Sequence, residues 1–217
     1  GYNPLRTGPA SEQAFYQQGV LLERELAALE RGRPGTIDLY FVGAAGYASQ
    51  DVFMREVKSV AQLFGERFDT VGRSVALINN PKTVMESPLA SLTGLRRALA
   101  RVGSAMNRDE DVLFLFLTSH GSEQHELSLD FWPMRFDKLG PQELKAALDE
   151  SGIRWRVIVV SACYSGGFVP ALADEHTIVI TAASADRQSF GCSNTAEFTY
   201  FGRAYFDQAL RETRSFT

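Results

Sequence analysis

Two uninterrupted apolar runs dominate the hydrophobic pattern, residues 112–117 (VLFLFL) and residues 157–160 (VIVV). Such runs, rich in β-branched and aromatic side chains and lacking alternation, suit strands buried on both faces of a parallel sheet. Turn chemistry follows each: Ser119-His120-Gly121 after the first, and Tyr164-Ser165-Gly166-Gly167 after Ser161-Ala162-Cys163 in the second. Between them the spacing predicts a short hairpin over residues 127–134 and a helix over residues 141–150 that Gly152 closes. A strand, a helix and a strand in this order form a right-handed crossover, with the two strands parallel and commonly adjacent.

The rest of the chain repeats the alternation. Residues 36–42 (TIDLYFV) predict the first strand and residues 43–47 a glycine-rich loop beyond it. A helix follows over residues 51–64 with Val52, Val57, Val60 and Leu63 inward, then a strand over residues 74–79 that Asn80-Pro81 breaks. The next helix, residues 91–106, turns Leu92, Leu95, Leu99 and Val102 inward, and the charged residues 108–111 read as a solvated loop. After Cys163 come a helical turn at residues 170–174, a parallel strand at residues 177–182 and a closing helix over residues 198–210. At the start, residues 2–9 read as irregular. A helix then begins at Ser11, with Phe15, Val20, Leu21, Leu22, Leu26 and Leu29 as its apolar face, and ends at residues 31–35. The expected architecture is α/β: a mostly parallel central sheet flanked by helices over residues 36–217, preceded by a one-helix extension at residues 1–35.

Composition narrows the function. With 217 residues and 45% hydrophobic content, the chain fits one substantial α/β domain. A net charge of -4 without a basic stripe gives no reason to expect a nucleic-acid partner. No apolar run has membrane-spanning length, so no membrane contact is expected within this segment. Because the chain opens at Gly1, it reads as a fragment or processed product. An upstream anchor stays open, and with it the compartment: bacterial cytoplasm, or membrane-anchored or periplasmic. Oligomeric state leaves no signal.

The chemistry concentrates at His120 and Cys163. Both lie just past carboxyl ends of central strands, where open α/β sheets bind ligands. Neighbouring strands lie about 4.8 Å apart, so the two side chains are expected to face each other across one cleft. A free thiol has a pKa of about 8.5 and needs a base beside it. A histidine there can take the thiol proton and return it to a leaving amine. A lone cysteine is more often a small buried apolar residue; the joint placement favours catalysis. Residues 43–46 lack the GxGxxG and Walker patterns of phosphate loops and read as cleft rim. Residues 184–192 are expected to pass over the strand ends, bringing Gln188 and Ser189 near the cleft. Cys192 reads as a buried structural thiol, His125 as a loop residue near the cleft and His176 as a polar residue before a strand. With one cysteine assigned to chemistry no disulfide remains. No pair has zinc-ligand spacing, so no metal or cofactor is implied.

The segments TSHGS (residues 118–122), VSACYSGG (160–167) and TAASADRQSFGC (181–192) resemble those of the legumain, or asparaginyl endopeptidase, family, in a bacterial form. That family belongs with the caspases, the gingipains and the transamidase that attaches lipid anchors. The resemblance covers residues 36–205. It implies a caspase- or haemoglobinase-like three-layer sandwich and a cysteine endopeptidase acting on peptide or protein substrates, with asparagine before the cut. It also implies an acyl-enzyme on Cys163, with His120 as the proton carrier and the backbone N–H groups of Gly121 and Cys163 receiving the oxyanion. A glycine after the histidine keeps the approach to that amide clear.

Three positions depart from the family. Where legumains carry a histidine-orienting asparagine, this chain offers Ala48 or Ser49, which implies a dyad. Where they carry a pocket arginine, it offers Gln50 or Asp51, and where TYFGR (residues 199–203) resembles the segment carrying a pocket aspartate, it has Arg203. Ser49, Asp51, Ser161, Gln188, Ser189 and Arg203 form the expected substrate-contacting set. With Asp51 and Arg203 as exchanged walls, the pocket suits asparagine, whose amide both donates and accepts, a basic residue through Asp51, or an acidic one through Arg203. Among rivals, an α/β-hydrolase requires the nucleophile before the histidine, the reverse of the order here. A transamidase or peptide ligase would use the same residues, and a silent caspase-like binding module would not need them.

Overall fold

The computed structural model describes residues 9–189 and 199–210. Five strands, β1 (Leu39–Ala45), β2 (Ser74–Ile78), β3 (Val112–Thr118), β6 (Trp155–Ser161) and β7 (Thr177–Thr181), form one sheet in the order β2-β1-β3-β6-β7. Every neighbouring pair is parallel. A two-stranded ribbon, β4 (Asp130–Phe131) with β5 (Met134–Arg135), is the predicted hairpin, a few residues later than its apolar pattern suggests.

Helices cover both faces. The first carries α1 (Pro9–Ala27), α3 (Leu92–Ala105), α4 (Pro141–Ser151) and the short α5 (Val169–Leu172). There Leu22, Leu99, Val102 and Leu148 pack on alternate strand residues Tyr40, Val42, Leu113, Leu115, Ile158 and Val160. On the second face lie α2 (Asp51–Arg67) and a closing stretch that runs as α6 (Tyr200–Gly202) and continues in π form over Arg203–Ala209. Phe53, Val57, Val60 and Phe206 meet the intervening strand residues Phe41, Phe114, Phe116, Val157 and Val159. This period-2 division gives a three-layer α/β sandwich with a caspase-like arrangement. At α4 the left-handed Gly152 (φ 69°) ends the helix as expected.

Four details depart from the sequence reading. β1 begins at Leu39 and runs through Ala45, so most of the expected glycine-rich loop is strand. A Cβ at Gly43 would lie 3.0 Å from the Phe41 ring and from Val57, and small residues are what let α2 approach there. On α1, Phe15 and Val20 are 62% and 60% exposed, because the buried stripe runs through Ala14, Leu21, Leu22 and Leu26 and leaves both residues off it. Asp111 is fully buried rather than solvated. Its carboxylate accepts the backbone N–H groups of Asp38 (2.8 Å) and Asn107 (2.7 Å), which ties the entrance of β3 to that of β1. In place of the turn expected over residues 164–167 stands a 3-10 helix, Ser165–Phe168, leading directly into α5. Cys192 and Phe198 lie outside the described residues.

Candidate active site

The register between β3 and β6 sets the site. Thr118 pairs with Ser161 at the carboxyl ends of the two strands, so His120 and Cys163, each two residues further on, leave the sheet at the same level. Side chains alternate along a strand, and both residues share the parity of Phe116 and Val159, which face α2. The structure therefore brings the two residues to one rim of the sheet, with the His120 ring against the amino end of α2.

His120 is held by the loop between β1 and α2. Gly46 donates its N–H to Thr118 O (3.0 Å) and accepts from Asp130 N (2.7 Å), while Ala48 N donates to Asp130 O. A Cβ on Gly46 would sit 2.3 Å from Ser128 O, so only glycine allows this approach. From below, the buried Asn79 side chain donates to Gly46 O and Ala90 O and accepts Ala90 N. The loop so fixed, with the first turn of α2, presents three residues to His120. Tyr47 and Phe53 meet its ring edge to face, with centroids at 4.6 and 5.2 Å, and Gln50 Oε1 lies 2.5 Å from Nε2. Burial among these groups pushes the His120 pKa below its ordinary 6.5. With Gln50 as acceptor, the proton resides on Nε2 and Nδ1 is the free base.

Cys163 is a partly exposed free thiol. Ser189 N–H donates to its Sγ (3.2 Å), and the thiol donates to Ser189 O at 3.6 Å. The residue after it, Tyr164, adopts a left-handed conformation (φ 55°) that a non-glycine residue holds only when its surroundings require it. Three contacts do so here: Tyr164 N donates to Arg187 O (2.7 Å), and Tyr164 O accepts from Gly167 N and from His125 Nδ1 (3.0 Å). Opposite, a Cβ on Gly121 would fall 2.1 Å from Cys163 O. Among the described residues, neither Gly121 N–H nor Cys163 N–H donates to a protein acceptor. His120 and Cys163 themselves are not hydrogen-bonded to each other; one is turned to Gln50 and the other to Ser189.

Below the rim lies a fully buried carboxyl, Glu56 of α2. Its Oε2 accepts Thr199 N–H (2.6 Å), and the Thr199 hydroxyl accepts Gly202 N–H (3.0 Å) and lies 3.2 Å from Ser161 Oγ. Burial pushes this carboxyl above the usual carboxylate range, against the opposing pull of the Thr199 N–H. Among the described residues, Glu56 Oε1 and the Thr118 hydroxyl have no hydrogen-bond partner.

The expected substrate-contacting residues scatter more widely than the catalytic pair. Ser189 lies against the sulfur, and the exposed Gln188 reaches toward Tyr164 OH at 3.5 Å. Ser49 and Arg203 are exposed, on the loop before α2 and on the closing helical stretch. Ser161 is buried rather than facing the cleft, because it lies one side-chain step deeper than Cys163 along the strand, with its hydroxyl 3.2 Å from that of Thr199. Asp51 offers no free carboxylate. Burial works to raise its pKa, but Lys82, Asn80 and Arg55 together carry it below the ordinary value, and the Lys82 ion pair offsets its charge. The sequence reading passed over Glu56 as a site residue and offered Gln50 only as a pocket position. Both had a signal: Glu56 falls three residues after Phe53 and four before Val60, on the buried stripe of α2, and Gln50 immediately precedes that helix. Among the described residues, no group of His, Cys, Asp and Glu forms a metal site, and no helix is long and apolar enough to cross a membrane.

A doubly covered parallel sheet with histidine and cysteine at matching levels of adjacent strands is the arrangement of the caspase-like cysteine peptidases. The family model of the Peptidase C13 family matches residues 82–216, and the chain belongs to that family, the legumain family of cysteine peptidases. The matched segment contains His120, Gly121, Cys163 and Ser189, whereas Gln50 and Glu56 precede it. No curated protein matches the chain.

Proposed function

We propose that the chain is an endopeptidase that cuts peptide bonds through a Cys163 acyl-enzyme, with His120 as the proton carrier. The observation that carries this reading is the Thr118–Ser161 pairing, from which His120 and Cys163 each follow by two residues at the ends of adjacent strands. His120 Nδ1 takes the thiol proton as Sγ attacks the carbonyl carbon, and the Ser189 N–H stands ready to hold charge on sulfur. The tetrahedral oxyanion is received by the Gly121 and Cys163 N–H groups. As the C–N bond breaks, His120 gives its proton to the departing amine; a water deprotonated by His120 then releases the acyl group and restores the thiol. The two side chains are not hydrogen-bonded in the unliganded chain; Nδ1 is the nitrogen left open to the thiol while Nε2 stays on Gln50 and Sγ on the Ser189 N–H, and the gap between Nδ1 and Sγ closes when substrate enters, a tightening familiar in unliganded sites.

Asparagine is the proposed residue before the cut. Support comes from the family and from the charge pattern: Lys82 offsets Asp51, which leaves no bare acid there for a basic side chain, whereas Arg203 is exposed. A transamidase or ligase reading differs only in an amine replacing water in the second step. The test is a positional peptide scan with purified protein and a Cys163→Ala control. Cleavage after asparagine, abolished in the control, supports the proposal. Cleavage after basic residues overturns the specificity, ligated products in place of hydrolysis favour the transamidase, and turnover that survives in the control overturns the nucleophile.

A further inference from the structure

The closing helical stretch begins at a capping motif assembled from two parts of the chain. Thr199 is its N-cap: the side-chain oxygen accepts the N–H of Gly202, three residues on, and Thr199 O accepts Arg203 N–H as the first turn closes. In an ordinary capping box the third helical residue is a glutamate or glutamine that reaches back to the N-cap N–H. Here that residue is Gly202, which has no side chain to reach with. Glu56 Oε2 supplies the missing acceptor from α2, 2.6 Å from Thr199 N, and occupies the space a side chain at 202 would need: a Cβ on Gly202 would lie 2.5 Å from it.

We propose that Glu56 completes this capping box in trans and is a positioning residue for the closing stretch that carries Arg203, the residue the peptidase reading assigns to the substrate pocket. Its effect falls on substrate binding rather than on the nucleophile. The hydrogen bond it accepts runs to Thr199, whereas β3 and β6 keep their register through their own ladder. A carboxyl in this position also faces the amino end of the helical stretch, where acceptors are favoured. The inference rests on the peptidase reading for the role of Arg203, and on the hydrogen bonds alone for the cap.

Two variants of matched length separate the acceptor from the volume. Glu56→Gln keeps an oxygen for the Thr199 N–H, and Glu56→Met fills the same space without one. Hydrogen exchange of the 199–203 amides reads the cap whatever the activity. The expected result is exchange faster by about 10-fold or more in Glu56→Met, as a lost buried hydrogen bond implies, and near wild-type protection in Glu56→Gln. Among kinetic readouts, KM on the preferred peptide rises by about 10-fold in Glu56→Met and recovers in Glu56→Gln, while Cys163 alkylation by iodoacetamide proceeds at the wild-type rate in both. Unchanged protection in Glu56→Met overturns the cap. Faster exchange with unchanged KM, or alkylation that slows in step with turnover, overturns the positioning role. If the wild type cleaves no peptide, the peptidase reading fails and the positioning role with it, while the exchange measurement still decides the cap.

Discussion

His120 Nε2 lies 2.5 Å from Gln50 Oε1, on the residue that precedes α2. With Gln50 as acceptor, this contact sets the ring's tautomer and orientation, with Tyr47 and Phe53 as the flanking walls. In the proposed mechanism, Gln50 joins the expected dyad as a third group that orients the histidine.

Removing that acceptor is expected to lower kcat more than it raises KM. For Gln50→Ala we expect a fall of about 10-fold in kcat, the order of one hydrogen bond to a partly buried group, with KM changed by less than about 2-fold. Steady-state kinetics on one peptide checks this. Equal losses in kcat and in 1/KM would instead place Gln50 on the substrate.

The pH profile follows from the buried ring. Because burial disfavours imidazolium, His120 stays neutral to a pH below 6.5, and the acidic limb of kcat/KM should lie below that value. Stability shifts in the same direction: below about pH 6.5 the unfolded chain binds the proton more readily than the folded one, so this group's effect is a loss of stability as pH falls through that range. Gln50→Glu sets a carboxylate beside the ring and is expected to move the limb upward. An NMR titration of the His120 ring gives the same ordering independently.

Gly121 is constrained by contact rather than by its backbone angle. A methyl group there meets Cys163 O at 2.1 Å, so Gly121→Ala must push the His120 turn away from the nucleophile. Displacement on the scale of 1 Å at a catalytic pair reduces turnover by about 100-fold. A Gly121→Ala enzyme with kcat/KM within about 3-fold of wild type is incompatible with this packing.

The buried Asp111 carboxylate accepts two backbone N–H groups. Asp111→Ala leaves both without an acceptor and is expected to destabilise the fold by about 2–4 kcal/mol. Urea unfolding measures this directly, with the slope unchanged. A change below about 0.5 kcal/mol would fit the solvated loop suggested by the charge cluster.

The sheet was legible because its strands are written as continuous apolar runs, and the order of His120 and Cys163 along the chain led to their shared rim. What escaped were features set by tertiary approach. Gly43 to Ala45 look like a loop in isolation, yet they continue the strand, and at Gly43 α2 lies so close that a Cβ would sit 3.0 Å from Val57. Asp111 looks solvated until the N–H groups of Asp38 and Asn107, one of them 73 residues away in sequence, are seen to converge on it. Ser161 was expected among the substrate-contacting residues, yet it lies a step deeper than Cys163, where the Thr199 hydroxyl meets it. Glu56 required the fold as a whole, since its partner Thr199 lies 143 residues away.

The central claim is that Cys163 is a nucleophile served by His120. Intact-mass analysis after incubation with a peptidyl acyloxymethyl ketone bearing asparagine tests it most directly, using wild type, Cys163→Ala and His120→Ala. The account predicts one adduct on wild type, mapped to Cys163, none on Cys163→Ala, and labelling slowed by about 100-fold or more in His120→Ala, the range of a lost general base. Labelling at another residue, or at an undiminished rate without His120, contradicts it.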